Sequence, residues 1–323
     1  MAAYVARRVA ASLLLVLLVL TLVFFFIQLA PGDPALVFED PRVPVGHQER
    51  LRAVYGLDRP LAEQYLAWLR AVVLDFDWGT SFSHSRPVRA VILDTVPNTL
   101  LLAAAALAVQ FGLGILLGVG AARRPGSAGD HAIRLGSLLL YALPSFWLGL
   151  MAVLLLSHTL GIFPSGQMRS VDAAEMGLLA RGADLLRHLA LPALVLGLST
   201  AGGVSRFARA SLLDTLRDEY VTTARAKGLA ESRVLWVHAL RNALPPLVQL
   251  LGLSLPFLLS GALVIEIVFS WPGMGRLVFD AVGSRDYPLI LGATALAALL
   301  VVTGNLVADL LQAAVDPRVR RRA

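Results

Sequence analysis

Between Val9 and Ala30 the chain runs for about 22 residues without a charge, and this stretch restricts the possible folds more than any other feature. A helix of about 20 apolar residues crosses the hydrocarbon core of a bilayer. Backbone polar groups meet no water there, so the run must satisfy its own hydrogen bonds as a helix. Similar runs follow at 95–122, 135–157, 189–205, 246–265 and 287–308. Only 15% of the 323 residues are charged and the mean hydropathy is +0.71, whereas soluble domains carry about a quarter charged residues. The expected class is all-α and integral to a membrane, with six transmembrane helices. Arg7-Arg8 precede the first run as in a signal peptide, but signal cores are shorter, about 7–15 residues. The first span is therefore read as retained.

Composition excludes several activities. The net charge of +6 does not form a nucleic-acid patch, because the basic residues sit at the ends of apolar runs. With no cysteine, disulfides, thiolate zinc sites and a cysteine nucleophile are excluded. A phosphate-binding loop needs Gly-Lys followed by Ser or Thr, and the sole lysine, Lys227, is followed by Gly228. ATP, if used, is bound by another chain. His47, His84, His131, His158, His188 and His238 show no ligand spacing, so no metal site is expected. No G-x-S-x-G occurs, and Ser199 and Ser254 have no nearby base in the sequence. Neither catalytic residues nor a cofactor are expected.

The loops have more pattern than simple connectors. Residues 31–94 form a long polar segment in which Pro60 starts a helix, with Leu61, Tyr65, Trp68 and Val72 on one face. A small, partly helical cap is expected there. Arg123 to Gly126 make a basic turn. Pro144 is expected to kink the third span, and Pro192, Gly197, Gly202 and Gly203 to leave the fourth short and broken. Asn98 and Asn305 are read as interhelical hydrogen-bond donors, and Asp309 as an ion-pair partner of Arg318 to Arg322. With the N-terminus inside, inner segments hold 16 basic residues and outer ones 12, or 5 once the long first loop is left out. Both termini are therefore expected in the cytoplasm.

Asp218 to Pro246 is too polar to cross a bilayer. Two helices joined at Gly228 fit it. Asp218 is a plausible N-cap, and Arg225 and Lys227 suit the C-terminal dipole. Gly228 supplies the left-handed residue that ends the helix. The second helix is expected from Glu231 to Asn242, with Val234, Val237, Leu240 and Leu244 on its apolar face and Pro245-Pro246 as its stop. The residues alone fit either a connector lying on the membrane or a docking element. Glu266 stands five residues before Trp271, whose indole is expected at the outer interface, so the carboxylate lies roughly 7 Å deeper. It is either a gate or pathway residue or a helix-end carboxylate reaching the interface.

T-A-R-A-K-G-L at 223–229 and H-A-L-R-N-A-L at 238–244 resemble the cytoplasmic loop of ABC-importer permeases of the dipeptide, oligopeptide and nickel branch. Thr222-Thr223-Ala224 stands where the generic E-A-A-x-x-x-G pattern has E-A-A, so its leading Glu is absent, and T-A-R-A-K-G is the form of the peptide branch. The resemblance extends to A-P-G-D-P at 30–34, D-W-G-T-S at 77–81, R-P-V at 86–88, V-I-E-I-V-F-S-W-P-G-M-G at 264–275, R-D-Y-P at 285–288, and the closing N-L-x-x-D and D-P-R. It implies a type I ABC importer permease fold for 94–311, with coupling helices at about 218–245. Around this core lie residues 1–30 as the first span, 31–94 as an extracytoplasmic loop and 312–323 as a basic cytoplasmic tail. It further implies a multi-pass subunit of the cytoplasmic membrane forming half of a path for peptides or a related solute. The implied partners are a second homologous permease, two ABC ATPase subunits and an extracytoplasmic substrate-binding protein, besides the lipid bilayer. Tyr220, Ala224, Lys227, Gly228 and Arg241 are then the ATPase-coupling residues. The alternative, an ion-coupled secondary transporter, calls for inverted repeats with broken helices at matching positions. The fourth span has no such counterpart.

Overall fold

The computed structural model describes the backbone of residues 2–29 and 59–315, with side chains for 10–29, 59–254 and 262–307. A-P-G-D-P, His47, the closing D-P-R and the side chain of Asp309 lie outside these residues. The described residues are almost wholly helical, with one isolated β-bridge between Thr80 and Pro87. They divide into two compact units, one of Ala2–Pro97 with Gly273–Val302, the other of Asn98–Pro272 with the end of the chain from Thr303.

In the first unit, α1 (Ala2–Leu29) exposes Leu13, Leu14, Leu18 and Phe26 and buries Leu20 and Phe24. Beside it runs α2 (Leu61–Arg70), which continues through a wide turn at Ala71–Asp75. Trp68 stacks on Phe24 with ring centroids 5.3 Å apart, and Tyr65 Oη lies 2.7 Å from Thr21 Oγ1. The face expected from the sequence thus packs through Tyr65 and Trp68, while Leu61 stays exposed. D-W-G-T-S and R-P-V close a single loop: Gly79 at φ +77° makes the turn, and the Val88 N–H donates to Gly79 O. Asp286, fully buried, fastens that loop by accepting from Ser81 Oγ (2.6 Å) and from the Ser83 N–H and Oγ. Burial pushes its carboxyl pKa up, but these hydrogen bonds outweigh the effect and hold it below the ordinary range.

Three expectations about the spans need correction. α3 (Val88–Arg123) begins earlier than residue 95, because Val88, Val91 and Ile92 form a core with Leu289 and Ala293. Charge alone had placed Arg89 and Asp94 in the loop. The third span is broken rather than kinked. α4 (Ala128–Ala142) and α5 (Ser145–Ala152), which continues as a wide helix through Val153–Thr159, meet at 100°. Pro144 forces extended backbone on Leu143 (φ −80°, ψ 133°) and so ends the first helix outright.

The fourth span is neither short nor broken. α6 (Leu178–Thr215) is one 38-residue helix that passes through Pro192. At 1.5 Å per residue it is about 57 Å long, well beyond a hydrocarbon core of about 30 Å. Its glycines serve contact. A Cβ on Gly197 would lie 2.6 Å from Val109 of α3, and one on Gly202 would lie 2.7 Å from Ser137 O of α4. Gly114 and Gly118 of α3 answer with Val204 and Ala208 of α6, at 2.5 and 2.6 Å. After the central stretch come α7 (Glu219–Ala226), α8 (Glu231–Arg233), a wide turn at Val234–Ala239, and α9 (Leu240–Gly261). Pro245-Pro246 does not stop α9, because Ala243 and Leu247 on either side are buried. The remaining helices are α10 (Leu263–Val268), α11 (Met274–Gly283) and α12 (Tyr287–Val315). Among the described residues four helices are long and apolar enough to cross a membrane, or five if the bent pair counts as one.

Contact at glycine predicts opposite outcomes for neighbouring substitutions. Gly202→Ala drives a Cβ into Ser137 O and should cost about 1–3 kcal/mol, seen as a lower thermal midpoint by fluorescence size-exclusion chromatography. A Cβ on Gly203 meets nothing within 4 Å, so Gly203→Ala should be neutral or stabilising. Equal behaviour of the two would contradict the packing.

Candidate functional site

The polar central stretch folds as two helices meeting at a left-handed glycine. Leu216–Asp218 turn the chain out of α6, and Asp218 takes extended backbone (φ −71°, ψ 147°) at the start of α7 without a side-chain capping bond. At the other end Gly228 has φ +75°. Its N–H donates to Arg225 O (2.9 Å) and the Leu229 N–H to Ala224 O (3.4 Å). These two nested bonds satisfy carbonyls in the last turn of α7 and reverse the chain. Leu229 then folds back onto Val221, Ala224 and Val234, a small core of its own. Arg225 spans the turn with a two-pronged bond to Glu231, Nε to Oε2 at 3.1 Å and Nη2 to Oε1 at 2.7 Å. The Arg225 guanidinium holds the Glu231 carboxyl below its ordinary value.

This element is fixed firmly to the helices behind it. Leu235, Ala239 and Ala243 pack with Val119 and Ala122 of α3 and Leu212 of α6. Leu216 touches both this cluster and the small core under Gly228. Ser211 Oγ donates to Ala243 O at 3.0 Å. On α6, Arg209 grips Asp130 with both nitrogens (2.8 and 2.6 Å), and Asp130 accepts from the Gly126 N–H, which ties down the Arg123–Gly126 turn.

Of the sequence-derived coupling residues, Tyr220, Lys227, Gly228 and Arg241 are exposed, whereas Ala224 is buried beneath the turn. Its small side chain lets Leu229 and Val234 close over α7. The apolar face of the second helix differs from expectation. The wide turn at Val234–Ala239 shifts the buried set to Val234, Leu235, Ala239 and Ala243, and turns Val237 outward at 54% exposure. Trp236, 44% exposed, stands beside it and was not singled out from the sequence. Tyr220, Trp236 and Val237 are thus exposed apolar and aromatic side chains on an otherwise polar element.

Glu266 is fully buried and accepts a hydrogen bond from Thr99 Oγ1 at 2.7 Å. Its carboxylate is shielded from the surface of the chain. Trp271, expected at the interface, is fully buried too, and its Nε1–H donates to Asn98 O at 2.9 Å. Asn98 Nδ2 donates to Pro272 O, which lies in the turn between α10 and α11, so Asn98 ties a helix to a loop and not, as expected, one helix to another. The V-I-E-I-V-F-S-W-P-G-M-G segment is thus a packed knot, with Phe269 O accepting from the Gln167 N–H. His188 bonds Asp184 O through Nδ1 (2.8 Å). Among the described residues no group of three or more His, Cys, Asp or Glu side chains is arranged to hold a metal ion.

Comparisons with known proteins place the chain in a family. The family model described as "Binding-protein-dependent transport system inner membrane component" matches residues 114–321, and that of the corresponding N-terminal part matches residues 1–103. The oligopeptide transport system permease protein AppB of Bacillus subtilis is 41% identical over 320 residues, covering 99% of each chain. The di/tripeptide transport system permease protein DppB of Pseudomonas aeruginosa is 38% identical over the whole of both chains. Among solved structures, an inward facing conformation of the MetNI methionine ABC transporter shares the fold, with a TM-score of 0.55, 18% identity, and coverage of 70% of this chain and 96% of that one.

Since the folded Glu231 carboxyl titrates below its ordinary value of 4.5, the Arg225–Glu231 bond contributes fully above that value and is lost as pH falls through the lower folded one. Both side chains are more than a third exposed, so the contribution is under about 1 kcal/mol. Amide exchange around Gly228, corrected for intrinsic rates, should stay constant from neutral pH to about 5 and quicken only in stronger acid. Quickening near neutrality would contradict the assignment.

Proposed function

Because this chain belongs to the family of binding-protein-dependent transport system inner membrane components, a family of transport subunits and not of enzymes, we propose that it is a permease subunit of an ATP-driven ABC importer for peptides. The observation that carries this reading is the Gly228 element: an exposed, internally bonded helix pair packed without slack onto α3 and α6. The peptide cargo rests on the names of relatives at 38–41% identity over nearly the full chain. Four long apolar helices, the bent pair α4–α5 and helix α9 make up six spans. Basic residues concentrate on the segments assigned to the cytoplasm, which supports both termini and the Gly228 element facing inward. Residues 94–311 then form the type I core, 31–94 the extracytoplasmic loop and 312–323 the cytoplasmic tail.

Two ATPase subunits, a second homologous permease and an extracytoplasmic binding protein complete the assembly. Tyr220, Lys227, Gly228 and Arg241, joined by Trp236 and Val237, meet the ATPase, while Ala224 shapes the element from within. Closure of the ATPase pair pushes this rigid element, and Leu216, Leu235 and Ala239 pass the displacement into α3 and α6. Glu266, held by Thr99, keeps the outer knot in place and does not move with the cargo.

A Cβ at Gly228 meets no neighbour, so the strain of Gly228→Val lies in the left-handed backbone, about 1–2 kcal/mol for a residue with a side chain, whereas Gly228→Pro cannot take φ +75° and also loses the N–H bond to Arg225 O; both changes stay local to the turn. Gly228→Val or Gly228→Pro should therefore leave membrane insertion intact. Peptide uptake by reconstituted complexes should fall at least tenfold for either variant. Normal ATP-driven uptake by both would overturn the coupling mechanism.

A further inference from the structure

We propose that the groove between α4 and α6 at His131, Arg134 and Arg206 holds the phosphate of an anionic phospholipid from the cytoplasm-facing leaflet. The leaflet assignment rests on the orientation proposed above. The groove encloses about 410 Å³ and is lined by those three residues with Leu135 and Leu138. It therefore joins a cationic end to an apolar wall. Arg206 also lies over the ring of Tyr141, its guanidinium carbon 5.4 Å from the centroid, which orients the fork. Asp130, the carboxylate in the adjacent turn of α4, is already committed to Arg209. Among the described residues neither Arg134 nor Arg206 has a carboxylate partner.

The level of the groove identifies a lipid. Residues 188–205 contain no Asp, Glu, Lys or Arg, a rise of about 27 Å, so Arg187 and Arg206 mark the two boundaries of the hydrocarbon core on α6. Arg134 is the last formally charged side chain of α4 before a stretch from 135 to 168 without Asp, Glu, Lys or Arg. Gly202 packs on Ser137 about one turn deeper on both helices, so the two arginines share one boundary. Guanidinium forks match phosphate oxygens in two-pronged geometry. Leu135 and Leu138, both exposed, offer the start of an acyl-chain track that Leu139 extends. A soluble anion would use the arginines and leave that track empty.

The test uses the complete transporter in nanodiscs of equal parts phosphatidylcholine and phosphatidylglycerol, with retained lipids counted by native mass spectrometry. Phosphatidylglycerol should be enriched on the wild type. The enrichment should fall roughly 30-fold in Arg134→Gln/Arg206→Gln and persist in Arg134→Lys/Arg206→Lys. Equal retention by wild type and the Gln pair would overturn the site, as would no enrichment in the assembled complex, which would mean a partner chain covers the groove. Displacement of the lipid by millimolar inorganic phosphate would overturn the lipid commitment in favour of a soluble anion. Nanodiscs expose both leaflets, so lipid binding does not depend on orientation. Labelling of Gly129→Cys, in a chain with no other cysteine, reads sidedness separately. Labelling from the outside only would refute the leaflet and the orientation together, whatever the lipid count.

Discussion

Lipid tails are as apolar as leucine, so helices in a bilayer gain little from hiding apolar surface and are held by how closely they approach. Where α6 meets α3 and α4, that closeness is set at four glycines. Gly114 and Gly118 of α3 receive Val204 and Ala208 of α6, Gly197 of α6 receives Val109, and Gly202 meets the backbone of α4 at Ser137. Each would lose its contact to a single added carbon. The outcome is a rigid pairing of α3 with α6, and most of the functional reading depends on it. A displacement delivered to one end of that pair is carried along it and not absorbed between loosely packed helices.

In the coupling mechanism proposed above, the Gly228 element delivers such a displacement. Its stiffness comes from three local sources: nested backbone bonds at the left-handed glycine, a two-pronged Arg225–Glu231 bond, and the small core of Val221, Ala224, Leu229 and Val234. None is strong alone. Leu216 matters more, because it belongs both to this core and to the cluster with Val119 and Leu212. Surface and spans therefore share a side chain. Tyr220, Trp236 and Val237 are exposed on the same element.

Much of this was legible from residue patterns. Uncharged runs marked the first and last long helices, Pro60 marked α2, and Asp218, Gly228 and Glu231 marked where the central pair starts, turns and resumes, though not where its second helix ends. The failures share a cause, in that local punctuation was weighed without its packing. Proline was read as a stop at 245–246 and as a break at 192, yet both sites lie in continuous helix because buried neighbours hold it. Pro144 was read as a kink and is a full break, since nothing holds Leu143 helical. The wide turn at Val234–Ala239 rotated the buried face by more than a 3.6-residue period foresees, so Val237 was misplaced and Trp236 missed. Two signals were present and unused. Gly114-x-x-x-Gly118 is a helix-contact spacing, and Ser127-x-x-Asp130 is a capping pattern, with the Asp130 N–H bonding Ser127 Oγ. Burial of Glu266 and Trp271 had no local signal, because their partners Thr99 and Asn98 stand more than 160 residues away.

The central claim is that the exposed face of the Gly228 element meets a nucleotide-hydrolysing partner. It is tested most directly by placing a photo-reactive benzoylphenylalanine at Tyr220 and irradiating the intact transporter in native membranes. The account predicts one dominant adduct, to the ATPase chain, with a yield that changes on adding a non-hydrolysable ATP analogue. Adducts only to lipid or to the extracytoplasmic binding protein, unchanged by nucleotide, would contradict it.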